Sequence, residues 1–173
     1  MKPRTSKSIG LLCLVAFIAL AGAVLMPSRA DASCLGIYCT CTVSATGHNF
    51  GTYDAIQRNA VTSSNTVTVR CVALVLSVAV SYEIRLSSGS SGSYNQRQMM
   101  SGANTLGYNL YTNSSRTTVW GDGTGGTQTV TDGYLLQLLF PVTRNYTVYG
   151  RIDGGQNAAA GSYSDVITVT VLY

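Results

Sequence analysis

Beyond residue 32, the chain's reactive chemistry is concentrated in a few side chains. They are four cysteines, one histidine, six carboxylates and one tryptophan. Cys34, Cys39, Cys41 and Cys71 form an even set, and in an oxidising compartment their default use is disulfide formation. Cys39 and Cys41 lie two apart on what reads as a strand, a poor geometry for a bridge, so the pairing that joins them is disfavoured. Two connectivities remain open: Cys41–Cys71 with Cys34–Cys39, or Cys39–Cys71 with Cys34–Cys41. Closing a loop of roughly 30 residues stabilises by about 3–4 kcal/mol in the chain-entropy treatment. Zinc is the rival use of four thiols. The paired C-x-x-C spacing is absent and His48 is isolated, so no metal site is expected.

Catalysis lacks its usual materials. His48, flanked by Gly47 and Asn49, reads as a solvent-facing turn residue, not the base of a nucleophilic system. Asp122, Asp132, Asp153 and Asp165 each stand in a turn-like context, where Asp bonds the backbone two residues on. The run Gly121-Asp122-Gly123-Thr124-Gly125-Gly126 lacks the Lys-Ser/Thr ending of a phosphate loop. No catalytic residues, no cofactor and no enzyme activity are expected. Trp120 precedes that loop and is a candidate ligand platform for stacking against sugars; the competing reading is a core or core-edge aromatic.

Met1–Lys7 is basic, Ile9–Met26 is apolar, and Ala30-Asp31-Ala32 offers a small-x-small cleavage pattern. That order is a secretory signal peptide over residues 1–32, the rival being a membrane anchor. Beyond it, seven Arg face six acids and Lys is absent. The basicity of the whole chain therefore belongs mostly to the leader. No clustered basic patch marks a nucleic-acid partner, and no stable membrane insertion is expected after cleavage.

The remaining chain reads as strands. In Thr66–Ala73, Val67, Val69, Cys71 and Ala73 share one face and Thr66, Thr68 and Arg70 the other. In Ser81–Leu86, Tyr82, Ile84 and Leu86 turn inward. Ile167, Val169, Val171 and Tyr173 form the apolar row of the C-terminus. Such alternation marks sheets with one buried face. Shorter strands are expected at Cys41–Ala45, Tyr108–Thr112, Thr117–Trp120 and Thr127–Thr131. Tyr134–Phe140 fits either a short helix or a strand buried on both sides and is read as strand or extended chain; Pro141 ends it, and Thr143–Tyr149 resumes a β pattern. Turns fall at Ser87–Ser93, Gly121–Thr127 and Gly154–Gly161. Short strands between frequent turns make an all-β sandwich.

Several pieces of the chain carry a family resemblance through their order and spacing. The first are Cys41-Thr42-Val43-Ser44-Ala45, Phe50-Gly51-Thr52-Tyr53-Asp54, Val67-Thr68-Val69-Arg70-Cys71 and Arg97-Gln98-Met99. Leu106 to Tyr111, Val119-Trp120-Gly121-Asp122-Gly123, Tyr149-Gly150-Arg151-Ile152, Gly161 to Asp165 and the terminal T-V-T-V-L-Y follow. From Cys41 to Tyr173 the chain resembles the spore coat protein U domain, which is related to subunits of Csu-type (archaic) chaperone–usher pili. The resemblance implies an immunoglobulin-like sandwich lacking its final strand and a disulfide between Cys41 and Cys71. It implies a secreted subunit of a surface pilus or fibre serving adhesion or biofilm. Such a subunit passes through the periplasm and is completed first by a chaperone's strand and later by a neighbour's. The implied partners are a periplasmic chaperone, an usher and other pilus subunits. Ile167, Val169, Val171 and Tyr173 would line the acceptor groove, opposite Cys41–Ala45. A coat protein that completes its own sandwich and a carbohydrate-binding tip adhesin are the alternatives.

The tail departs from a repeating unit. Residues 33–40 reach only roughly 26 Å when extended, and a Cys34–Cys39 loop would prevent that form. The expected domains are the leader 1–32, a tail 33–40 and a sandwich 41–173. The tail would receive little use as a donor, so the subunit would start or top a fibre, or stay at the surface as a coat component.

Overall fold

The computed structural model describes residues 33–35, 39–73, 77–137 and 140–173. The leader lies outside the described residues. Nine strands are present among them: β1 Ser33–Leu35, β2 Cys39–Ala45, β3 Val61–Ala73, β4 Ser77–Leu86, β5 Arg97–Ser101, β6 Asn104–Tyr111, β7 Val130–Gln137, β8 Val142–Ile152 and β9 Val169–Leu172. No described helix is long and apolar enough to cross a membrane.

The strands form an all-β sandwich. One sheet has the order β2-β3-β8-β6-β5. In the other, β4 pairs with β7 along one edge, while β1 and β9 share its other edge at Ala79–Ser81 and Glu83–Leu86. Alternation decides which faces meet, because successive side chains on a strand point to opposite faces. Val67, Val69 and Cys71 of β3 pack inside with Tyr82, Ile84 and Leu86 of β4. Leu106, Tyr108 and Leu110 of β6 and Val148 and Ile152 of β8 complete the core. On the outer face of β4, Glu83 and Arg85 pair at 3.0 Å.

β3 runs further back than its apolar alternation, through Thr62-Ser63-Ser64-Asn65. β8 pairs with it along this whole stretch, from Val61↔Ile152 to Cys71↔Val142. These polar residues are accommodated because the sheet here faces a covering segment, not the opposite sheet. Thr46 Oγ1 donates to Asn65 Oδ1, and Ser63 meets His48.

Three expectations differ. Residues 117–120 and 127–129 form no ladder; they make single bridges, Tyr111↔Val119 antiparallel and Trp120↔Gln128 parallel, so the Gly-rich loop between them brings the chain back alongside itself in the same direction, which builds no hairpin. β7 spans Val130–Gln137. It is an edge strand with one wet face: Leu135 is 77% exposed and Phe140, beyond its end, 76%. Its apolar run is therefore not buried on both sides.

Cys41 and Cys71 stand directly opposite in the β2–β3 ladder and are bonded, with Cα atoms 4.0 Å apart. The bridge thus ties neighbouring strands of one sheet. The other expected bridge involves Cys34, whose side chain lies outside the described residues; Cys39 is itself disulfide-bonded. Reducing the native protein will lower its unfolding free energy by about 3 kcal/mol, read from urea midpoints with and without reductant. A change below about 1 kcal/mol would show that the ladder alone holds β2.

Candidate functional site

Along one side the two sheets approach at β2 and β9 but no ladder joins them among the described residues. β9 is held to β4 by Leu86↔Val169 through Glu83↔Leu172, and one residue earlier Ser87 N–H donates to Thr168 O at 3.0 Å. In an antiparallel ladder alternate residues turn their N–H and C=O to opposite edges. Thr168, Thr170 and Leu172 therefore face β4, and the backbone groups of Ile167, Val169 and Val171 face away from it. No described strand pairs with that edge. The side chains of the same three residues pack against the core. An edge of this kind offers ladder bonds to any extended segment that reaches it.

A groove of about 440 Å³ runs beside that edge. Ile167 and Val169 form one wall, Ala45 and the segment after β2 form the other, and Val67, Leu110 and Val148 lie at its floor. Of the four residues expected to line it, Val171 packs on the core further along β9. Tyr173 closes the far end, its hydroxyl 3.4 Å from Thr40 Oγ1. A second cavity, about 1010 Å³, continues past the first between residues 47–56 and 158–163. His48, Phe50, Met99 and Tyr163 line both.

Sequence reading missed these shared residues. His48 is not a solvent-facing turn residue: it is half-buried, with Nε2 2.6 Å from Ser63 Oγ. The one available signal was its spacing of two from Phe50, which turns both rings to the same side of an extended segment. The rings lie 4.8 Å apart, and Phe50 meets Tyr108 edge-on at 5.6 Å.

Asp165 pins the groove's other wall. Its carboxylate accepts hydrogen bonds from Ser90 N–H at 2.8 Å, Ser90 Oγ at 2.6 Å and Tyr108 Oη at 2.7 Å. Burial alone would raise its pKa, but these bonds with that of Val166 N–H bring it below the ordinary value. Gly89 has φ +69°, and a Cβ there would lie 2.1 Å from Asp165 Oδ2, so the Ser88–Gly92 turn admits no side chain at this point. Beneath it Arg97 is fully buried. Its Nε and Nη2 donate to Ser87 O at 3.0 and 2.8 Å, Nη2 also to Trp120 O at 2.7 Å, and Nη1 to Asn109 Oδ1 at 2.6 Å.

Trp120 is not a ligand platform. Its ring is 0% exposed and its indole N–H donates to Ile84 O at 3.0 Å. The Gly-rich turn that follows it tucks the indole under β4, so the ring has no face left for a sugar. No group of three His, Cys, Asp or Glu among the described residues is placed to hold a metal ion.

The Spore Coat Protein U domain family model matches residues 30–170. The chain belongs to the Spore Coat Protein U domain family. Protein U of Myxococcus xanthus is 30% identical over 133 residues, covering 72% of this chain and 70% of that protein. Among solved structures, this Spore Coat Protein U domain is similar to one chain of the CsuC–CsuE chaperone–tip adhesion subunit pre-assembly complex from archaic chaperone–usher Csu pili of Acinetobacter baumannii. The TM-score is 0.52 at 25% identity, over 79% of this chain. The Spore Coat Protein U domain here spans about 40% of that solved chain. The match to that solved chain agrees with the all-β sandwich described above.

Proposed function

We propose that this chain is a secreted structural subunit of a chaperone–usher-type surface pilus or fibre, and not an enzyme. Its sandwich is completed by a strand donated first by a periplasmic chaperone and later by another subunit. The observation that carries this reading is the unpaired backbone edge of Ile167, Val169 and Val171 beside an apolar groove. An added strand would bond that edge and drop alternate side chains onto Val67, Leu110 and Val148. The similarity to a subunit solved with its chaperone supports it.

The tail favours a position at the end of a fibre, where adhesion would be exercised. Ser33–Leu35 already pairs with Ala79–Ser81 of its own sheet, so donation would require those bonds to break. The same pairing supports the second reading, a coat protein that completes its own sandwich. β1 nevertheless covers a stretch of β4 beyond the reach of β9 and leaves the edge of Ile167–Val171 uncovered.

The test is a synthetic peptide of about twelve residues, alternating Val and Thr. Added to the purified protein, it is expected to raise the unfolding midpoint in a concentration-dependent way, because anything that binds only the folded state stabilises it. Val169→Asp puts a charge into the groove wall and will abolish the shift. Equal stability with and without peptide, in a protein monomeric and heat-resistant alone, would favour the self-completed coat protein.

A further inference from the structure

His48 stands where the two cavities meet, and it is the only histidine in the chain. It anchors the segment after β2, residues 46–54, which forms one lip of the groove. Asn65 Nδ2 donates to Thr46 O and Gly47 O at the start of this segment, and Tyr53 Oη accepts from Gln156 N–H near its end; between them the His48 anchor has three parts. Nε2 meets Ser63 Oγ, the ring packs on Phe50, and both rings sit over Gly150. A Cβ on Gly150 would lie 2.3 Å from His48 Nε2 and 2.7 Å from the Phe50 ring, so the bare glycine is what lets the pair seat.

The ring's other nitrogen, Nδ1, is buried without a hydrogen-bond partner among the described residues. A neutral imidazole tolerates this at modest cost. A protonated one carries a second N–H with no acceptor, together with a charge in a partly desolvated site. The surrounding groups offer no compensation. From its own lip come Asn49, Phe50 and Asp54; from β3, Ser63 and Asn65; from β5 and β6, Met99 and Tyr108. The C-terminal segment contributes Tyr163 and Asp165, and β8 contributes Val148 and Gly150. The Asp165 carboxylate is taken by Ser90 and Tyr108, and that of Asp54 caps the N–H groups of Ile56 and Gln57. Burial accordingly pulls the His48 pKa below its ordinary 6.5.

We propose that His48 is a proton-operated latch on the groove: seated and neutral it holds the middle of the 46–54 lip against β3 and β8, and protonated it releases that part of the lip between its tied ends. The latch stands on the geometry of the lip alone; its consequence, weaker strand acceptance in acid, rests on the function proposed above. Because the folded-state pKa is lowered, the stabilisation is complete above about pH 6.5 and is lost as pH falls from there towards the folded value.

The histidine's Cε1–H resonance reports its titration by NMR, and amide exchange in residues 46–54 reports the lip. The titration midpoint is expected below 6.5. Lip exchange, corrected for its intrinsic pH dependence, should rise by up to about tenfold per pH unit across that window. His48→Phe should flatten the dependence, and Gly150→Ala should open the lip already at neutral pH. Lip protection unchanged down to about pH 4.5, or pH dependence retained in His48→Phe, would overturn the latch. The Val/Thr peptide separates the two ideas. Release in acid supports the latch. Equal binding at both pH values overturns the latch and leaves the strand-acceptor reading intact. A lip that opens in acid on a protein that binds no peptide overturns the strand-acceptor reading and keeps the latch.

Discussion

Trp120→Ala will lower the unfolding free energy by about 3–5 kcal/mol, one of the two largest single-residue effects expected in this protein. The indole is the largest fully buried side chain, and it fills the space where the turn after β6 folds under β4. Truncation removes that apolar burial and leaves a cavity that backbone on both sides holds open. Trp120 N–H bonds Leu110 O at 2.9 Å and Gly121 N–H bonds Gln128 O at 2.9 Å, so neither flank can collapse inward freely. The lost indole N–H also removes a donor from Ile84 O. Urea unfolding followed by far-UV circular dichroism measures the effect, since the variant has lost the only Trp fluorophore. A loss below about 1 kcal/mol would mean that the ring is not core. Any loss of glycan binding in this variant would report unfolding, not a missing platform, which Trp120→Phe would show by keeping most of the packing.

Arg97→Met will cost about 3 kcal/mol or more, through polar groups rather than apolar area. Methionine keeps most of the stem volume but none of the donors. Ser87 O, Trp120 O and Asn109 Oδ1 would be stripped of charge-assisted bonds in a site closed to water. A buried acceptor left unsatisfied carries its full desolvation penalty, on the order of 1–3 kcal/mol. Asn109 also holds Tyr94 O through Nδ2, so the damage will spread to the chain leading into β5. Since Ser87 carries the first bond to the C-terminal segment, Arg97→Met should further weaken the Val/Thr peptide's effect on the midpoint. Arg97→Lys is expected to rescue only part of the loss, because an ammonium cannot present a planar fork to several acceptors at once. Stability within about 0.5 kcal/mol of the parent protein would refute the role given to this network.

Different physics made parts of this molecule legible in advance. The rows Val67/Val69/Cys71 and Tyr82/Ile84/Leu86 were readable because a strand buried on one face must alternate, and their spacing already states which side is dry. Extension of β3 back to Val61 was not readable. Its Ser63 and Asn65 look like solvent-facing residues until the 46–54 segment is laid over them. Exposure of Leu135 was illegible for the opposite reason: an apolar residue on an edge strand has the same letter as one in a core. His48 between two small polar neighbours looks like a turn; only the sheet beneath it, with a gap at Gly150, makes it an anchor.

The sequence by itself determined the all-β class, the inward rows of the main strands and the even set of cysteines beyond residue 32. It also determined the family, because the order and spacing of short motifs are local properties of a chain. Tertiary structure alone decided that the Cys41–Cys71 bridge lies within one sheet, that Trp120 and Arg97 are interior, and that β9 bonds β4 on one edge and pairs with no described strand on the other. Those facts depend on which distant segments come to lie side by side. Sheet register and the covering of one face by a remote loop are set by the packing of the whole fold, and no local pattern encodes them.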